Sequence, residues 1–249
     1  MEKLNEQAYN GFLNGKKVVI LGGSSGIGLA TAKAAAAQGA KLVIVSSNKD
    51  RVDKALNELN GENEGFAVDL ANEEHVAGFF KQLGTFDHLV YTAGENLQLS
   101  NISDIALSDA KKFFDLRYWG AFMAVKYAAP HIKTGGSITL TGGVASLRPG
   151  KGWSLGASIC AAMEGFTRAM AIELAPLRVN MVSPGVVRTN LWADMADADR
   201  DGMYSHISDT LPVKHVAEAA EIAQTYLYLM QQQYSTGQTV VVDGGYVLV

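Results

Sequence analysis

The sequence predicts an α/β fold, a doubly wound parallel sheet of about seven strands with helices on both faces. Three features carry this. Short apolar runs recur along the whole of the 249 residues and alternate with helical patterns. Those runs are nearly continuous in apolar residues rather than alternating with polar ones, as strands covered on both faces require. A glycine-rich turn stands between the first run and the first helix. No linker-like composition shift, low-complexity tract or repeat breaks the alternation, so residues 1–249 are expected to form a single domain.

Taken in order, strands are expected at about 17–21, 41–46, 65–69, 87–92, 136–141, 178–183 and 239–243. Residues 1–15 precede them as an N-terminal extension. Ile159, Met163, Phe166, Met170 and Leu174 repeat at steps of three and four, which marks one core-facing stripe of a long helix. A companion helix runs from about Leu107 to Ile132. The segment 190–210 carries Trp192, Met195, Met203 and Tyr204 at helical spacing, a pattern that suits either a substrate lid or a helix packed on the core.

The first turn reads Leu21-Gly22-Gly23-Ser24-Ser25-Gly26-Ile27-Gly28, after Lys17-Val18-Val19-Ile20 and before the helical stretch Leu29 to Gln38. Strand, glycine turn and helix in that order make the Rossmann-type phosphate site. One glycine lets the chain turn off the strand, and the others let backbone approach a pyrophosphate and the helix pack on the sheet. Unpaired N–H groups and the positive end of the helix dipole then favour an anion.

Composition narrows the function classes. A formal charge of −4 gives no basic footprint for nucleic acid. The apolar runs are too short to span a bilayer, and Asn5, Glu6, Gln7, Asn10 and Asn14 break any signal-peptide centre, so the expected location is the cytoplasm, away from membranes. One cysteine excludes an internal disulfide. His75, His88, His131, His206 and His215 are scattered without ligand spacing, and no metal site is expected.

Further segments follow in a definite order: Asp69-Leu70 closing the third strand, Thr92-Ala93-Gly94 closing the fourth, then Ala161-Ala162-Met163-Glu164-Gly165, Glu173-Leu174-Ala175-Pro176, Arg178-Val179-Asn180, Ser183-Pro184-Gly185-Val186-Val187-Arg188-Thr189 and Asp243-Gly244-Gly245. Over nearly its whole length the chain resembles the short-chain dehydrogenase/reductase family. The resemblance implies a nicotinamide cofactor contacted by Gly22, Ser24, Ser25, Ile27, Gly28, Asp69, Leu70, Thr92, Ala93, Gly94, Pro184, Gly185, Val187 and Thr189. It also implies a homo-oligomer, dimer or tetramer, built on the two long helices. Tyr91 and Thr92 stand where the family has a pair of asparagines.

An NAD-preferring site places an acid about twenty residues past the glycine turn to accept from the ribose hydroxyls. This chain has Val45-Ser46-Ser47-Asn48-Lys49-Asp50-Arg51 there. Ser46, Ser47 and Asn48 followed by Lys49 and Arg51 suit a 2′-phosphate, so NADP(H) is expected over NAD(H), with Asp50 the one residue against it. The alternative is that Ser47 or Asn48 simply caps the next helix.

The family's acid-base machinery is missing. Counting from Ala161-Ala162-Met163-Glu164-Gly165 puts its lysine at Cys160 and its tyrosine at Gly156. No tyrosine occurs between Tyr127 and Tyr204 and no lysine between Lys151 and Lys214, so realignment restores neither. The family's serine falls on Gly143 and its asparagine on Arg117. Hydride transfer does not itself require that set, because the cofactor carries the reactive hydrogen and the protein supplies orientation and charge. Arg117 offers a fixed positive charge but is a poor proton donor; the alternative is an ordinary ion pair with a neighbour such as Asp115. Cys160 reads as a small buried hydrophobe. In Arg148-Pro149-Gly150-Lys151-Gly152-Trp153-Ser154, Trp153 suits stacking on a flat or cationic substrate, and Ser154 suits a helix N-cap. This segment resembles a divergent branch of the family that includes fungal alkaloid reductases without the usual four residues, although Gly150 stands where that branch has an acid.

Three readings stay open: an NADP(H)-dependent reductase of a small carbonyl or imine/iminium substrate, with Arg117 and Trp153 in the catalytic site; a catalytically silent NADP(H)-binding protein; and a non-redox cyclisation in the same pocket.

Overall fold

Along β1 (Lys17–Leu21) and β2 (Lys41–Ser46) every residue after the first is buried, and successive side chains enter different cores. In the computed structural model, which describes residues 11–249 apart from Gln98, Val19, Leu21, Val43 and Val45 face one hydrophobic cluster, while Val18, Ile20, Leu42 and Ile44 face a second. That is the strand period of two put to use on a sheet covered on both sides.

The remaining strands of the sheet are β3 (Glu64–Ala67), β4 (Phe86–Tyr91), β5 (Ile132–Thr141), β6 (Arg178–Pro184) and β9 (Thr239–Val242). All pairs are parallel, in the spatial order β3-β2-β1-β4-β5-β6-β9, and β7 (Val187–Arg188) pairs with β8 (Ala217–Glu218) as a separate two-stranded ribbon. The expected seven strands are present within a few residues, and β5 starts earlier, at Ile132. Asp69 lies beyond the third strand, which stops at Ala67. On one face, α1 (Gly26–Ala37) packs with α8 (Ala219–Gln231); on the other lie α3 (Glu73–Leu83), α5 (Ala121–Ala128) and α6 (Ser154–Glu173). The stripe on α6 is as spaced: Ile159, Met163 and Phe166 are buried, and Met170 and Leu174 pack against that core. Each such large side chain contributes about 1.5–3 kcal/mol by leaving water.

Of the expected N-terminal extension, residues 1–10 lie outside the described residues, and 11–15 form a turn whose Leu13 is only 1% exposed. That part belongs to the core. The helix expected from Leu107 to Ile132 is interrupted: α4 (Leu107–Phe114) gives way to a wide π turn over Asp115–Gly120 before α5 begins. Wide turns of this kind recur at functional sites. Here the Tyr91 hydroxyl, at the end of β4, donates to the Leu116 carbonyl at 2.6 Å. Gly120 makes room for it, since a Cβ there would lie 2.5 Å from the Tyr91 hydroxyl oxygen. The segment 190–210 is likewise not one helix. A 3-10 turn (Asn190–Trp192) is followed by α7 (Asp197–Thr210), and Trp192, Tyr204 and Val216 form a small hydrophobic cluster of their own.

Gly120→Ala should cost about 1–3 kcal/mol, as overpacked cores do, read as a shift in urea unfolding midpoint. Adding Tyr91→Phe to Gly120→Ala should cost less than Tyr91→Phe alone, because it relieves the collision; strict additivity in the double-mutant cycle would show that the two groups do not meet.

Candidate active site

In this strand order β1 connects outward to β2 on one side while β4 lies on the other, so a crevice opens at the carboxyl ends of β1 and β4. The glycine turn occupies its floor. The N–H groups of Gly22 and Gly23 donate to the Val45 carbonyl at 2.9 and 3.2 Å, and the Thr92 hydroxyl donates to the carbonyls of Leu21 and Gly22 at 3.1 and 3.3 Å. Thr92 thus fastens the turn to β4. A side chain on Gly28 would collide with the Gly22 carbonyl, so the approach of helix to turn demands glycine. Ser25 precedes α1 in extended conformation without a side-chain cap, and the first turn of α1 has no acid. Those first N–H groups, with Ser24 and Ile27 beside them, are therefore left to an external anion. From the other side Thr189 packs against Gly26, and Gly185 is anchored by its N–H to the Val242 carbonyl at 3.0 Å, which sets Pro184 and Val187 on the same rim.

At the end of β2, Ser46 is buried while Ser47 and Asn48 are exposed. Asn48 is the N-cap of α2 (Lys49–Asn57), its side-chain oxygen accepting from the Arg51 N–H at 2.9 Å. Its side-chain oxygen is spent on the helix, while its amide N–H groups, the Ser47 hydroxyl and the Arg51 guanidinium, the last two 3.3 Å apart, remain at this exposed turn. Lys49 pairs with Asp53. Asp69 is exposed, with one carboxylate oxygen accepting from the Ala71 N–H at 3.0 Å, and Leu70 beside it is buried.

Arg117, Gly143 and the α6 pair Gly156 and Cys160 line one cavity of about 150 Å³ together with Thr92, Ala93, Trp153, Pro184 and Gly185. The four positions that the resemblance assigns to proton-transfer residues are one place. Gly143 is extended, with space for a Cβ limited only by the Cys160 sulfur at 3.3 Å, and a Cβ on Gly156 would meet nothing closer than the Trp153 ring at 3.8 Å.

The wide turn carries Arg117 to the cavity. Its guanidinium does not pair with Asp115. It donates to the Glu95 carbonyl oxygen, lies 3.9 Å from the Glu95 carboxylate, sits 5.3 Å over the Phe113 ring and lies against Gly94, while its Nε–H is buried without a partner. Burial lowers its pKa from the usual guanidinium value, and the nearby Glu95 carboxylate opposes that shift. Cys160 goes the other way. Burial pushes its thiol up to about 11, against the nearby Arg117 charge, so it is a neutral thiol at physiological pH.

Trp153 is the N-cap residue of α6, without a side-chain cap, and Ser154 is the first helical residue rather than the expected cap. The Trp153 ring meets Trp192 at 6.3 Å, tilted by 57°, so the loop before α6 and the 190–192 turn share one apolar wall. Asn96 and Leu97 tie the loop after β4 to the same turn through Asp194 and the Leu191 carbonyl, at 2.9 and 3.1 Å. Sequence reasoning missed Leu97, Phe113, Arg148 and Tyr246, all of which line the cavity. Tyr246 had a readable signal. In Asp243-Gly244-Gly245 both glycines take positive φ and the Asp243 carboxylate accepts from the N–H groups of Gly245 and Val247, both at 2.9 Å, which turns the C-terminal segment over the cavity. Arg148 then donates to the Tyr246 carbonyl and lies 4.8 Å over its ring. Among the described residues, no cluster of His, Cys, Asp or Glu is placed to hold a metal ion.

The sequence profile of the family described as Enoyl-(Acyl carrier protein) reductase matches residues 22–247. A short-chain dehydrogenase/reductase of Stachybotrys chlorohalonatus, ATR9, is 35% identical, the match covering 94% of this chain and 97% of that protein. Among solved structures, a small-chain dehydrogenase in complex with NADPH is 36% identical with a TM-score of 0.84, covering 95% of this chain and 100% of the other. The MalC Reductase/Diels-Alderase from Malbranchea aurantiaca superposes with a TM-score of 0.89 at 27% identity, covering 96% and 99%. With the profile spanning nearly the whole chain and relatives above 30% identity along it, the chain belongs to the short-chain dehydrogenase/reductase family.

Proposed function

We propose that this protein is an NADP(H)-dependent oxidoreductase that reduces a small carbonyl or imine/iminium compound without the family's usual tyrosine and lysine. The observation that carries the reading is the convergence of Arg117, Gly143, Gly156 and Cys160 on one cavity beside the glycine turn. A similar chain holding NADPH supports the cofactor assignment. So do the uncapped start of α1 and the exposed Ser47–Arg51 pair, which present the donors that a diphosphate and a 2′-phosphate need. The nicotinamide supplies a hydride to the electrophilic carbon when bound. Arg117, held by Glu95 and Phe113, presents a preformed positive charge to the carbonyl oxygen or neutral imine nitrogen on which negative charge grows, and that atom takes its proton from water, whereas an iminium becomes a neutral amine on hydride transfer and needs no proton. The shared wall of Trp153 and Trp192 keeps the substrate flat against the cofactor and limits water. The segment 190–210 acts as the lid: its small cluster gives it few ties to the main core, as a segment that opens requires.

A homo-oligomer forms part of the reading, since Trp119 at the end of the wide turn and Phe122 at the start of α5 stay exposed, at 52% and 39%. No helix among the described residues is long and apolar enough to cross a membrane. The cytoplasm remains the proposed location.

NADPH should bind at least about tenfold tighter than NADH, roughly 1.4 kcal/mol. Isothermal titration of the native protein and of Arg51→Ala checks this: Arg51→Ala should lose most of the preference with NADH affinity unchanged, and Ser47→Asp should reverse it. Equal constants for both cofactors would defeat the assignment.

Arg117→Ala and Trp153→Ala should each lower kcat by about tenfold or more, about 1.4 kcal/mol of barrier, with NADPH affinity moving much less. Turnover of a preformed iminium should be nearly flat from about pH 6 to 8, because the thiol in the cavity is pushed up to about 11 and the guanidinium stays charged throughout. A bell-shaped profile in that range would reveal a titrating group on which turnover depends and defeat the expectation.

A further inference from the structure

Charge in the cavity is one-sided. Among the described residues that line it, Arg117 and Arg148 carry formal charge, both positive, and none is a carboxylate. Several other polar side chains of the lining are already engaged with the protein itself: the Tyr91 hydroxyl with the Leu116 carbonyl, the Thr92 hydroxyl with Leu21, the Thr141 hydroxyl with the Tyr91 carbonyl and the Trp192 ring N–H with Val187. The thiol of Cys160 is neutral. Each guanidinium is anchored by one arm to a main-chain carbonyl, Arg117 to Glu95 and Arg148 to Tyr246, and each is laid over an aromatic ring. Anchoring to a carbonyl fixes a guanidinium without neutralising it. Glu95 is the one acid near Arg117, at 3.9 Å from Nε and half exposed; among the described residues Arg148 has no carboxylate within salt-bridge distance.

A cation entering such a cavity meets two like charges and no counter-charge, and a neutral molecule leaves both charges uncompensated, Arg148 to water at the mouth and Arg117 largely buried. A carboxylate meets planar forks that match its two oxygens, and the apolar walls strengthen that attraction by excluding water. The walls themselves, Trp153, Trp192, Phe113 and Tyr246, suit a flat apolar body.

We propose that the substrate is an organic anion, a carboxylate carried on a flat apolar skeleton, with Arg148 at the cavity mouth holding the carboxylate and Arg117 deeper in facing the reacting carbonyl. This rests on the reading of the cavity as the substrate pocket of a reductase, and it selects a carbonyl acid over an iminium.

The test uses three flat aromatic probes of different charge with NADPH-saturated protein: benzoylformate, its methyl ester and N-methyl-3,4-dihydroisoquinolinium. In a stopped-flow instrument tryptophan quenching reads binding, and NADPH absorbance separately reads hydride transfer. Benzoylformate should bind at least about tenfold tighter than the ester, and the cation weakest. Arg148→Gln should remove most of that preference and Arg148→Lys should keep part of it; Arg117→Gln should act in the same direction, and because Arg148 is exposed its variants keep the test decisive if Arg117→Gln fails to fold. Binding of the cation as tight as that of benzoylformate, or an anion preference that survives Arg148→Gln, would overturn the proposal. Anion-selective quenching without NADPH oxidation by any probe would uphold the anion site and remove the reductase reading. Oxidation of NADPH by the ester or the cation in preference to benzoylformate would do the reverse.

Discussion

The hydrogen bond from the Tyr91 hydroxyl to the Leu116 carbonyl is the constraint on which the cavity depends. Tyr91 is almost wholly buried at the end of β4, and burial raises its phenol pKa far above the ordinary value, so it is a permanent donor. A wide helical turn disturbs the regular ladder, and the strand end supplies a partner at 2.6 Å for one of its carbonyls. Gly120 permits the approach, and Arg117 is aimed back across Gly94 to Glu95 and Phe113. With a regular helix in place of the wide turn, the side chains on either side of it would be rotated relative to one another, and a cation could not stand where it does. Tyr91 and Arg117, 26 residues apart in the sequence, are in this sense coupled through one turn.

That geometry explains why Arg117 is so much buried without being neutralised. Desolvation is the largest influence on its pKa, yet a guanidinium begins so high that a downward shift leaves it charged, and Glu95 supplies partial compensation at a distance too long for a tight pair. The orphaned Nε–H marks the same incompleteness. A buried polar group without a hydrogen-bond partner costs about 1–3 kcal/mol, and here the nearest acceptor, the Glu95 carboxylate, stands 3.9 Å from Nε.

The sheet was legible because its signals are local and strong. Apolar runs of strand length, separated by helices, fix a parallel sheet without reference to distant residues, and the glycine turn is readable because only glycine meets the steric demand at positions such as Gly28. The site was legible only where spacing along one element carried it. Gly156 and Cys160 lie one turn apart on α6, and counting placed them correctly beside each other; that Gly143 and Arg117 join them is a consequence of topology. The wide turn was invisible, since Asp115-Leu116-Arg117-Tyr118-Trp119-Gly120 continues a helical pattern and the partner that stabilises the break lies 25 residues upstream. Pairing Arg117 with Asp115 failed for the same reason. Its partner, Glu95, sits on the loop after β4, and no periodicity links a loop to a helix.

Loss of the tyrosine and lysine is compatible with two opposite outcomes, decay of a site or its conversion, and the arrangement around the gap separates them. Decay has no reason to keep a cavity enclosed. Here small residues at Gly143, Gly156 and Cys160 open space while Trp153, Trp192 and the Arg148–Tyr246 pair close its rim, and the cation inside is oriented by three separate contacts. A positioned charge accelerates hydride transfer only to the extent that it interacts more strongly with the transition state than with the bound substrate. In the proposed mechanism Arg117 meets that condition for an acceptor on which negative charge grows, because its orientation by Glu95 and Phe113 precedes the substrate and leaves little reorganisation to the reaction itself.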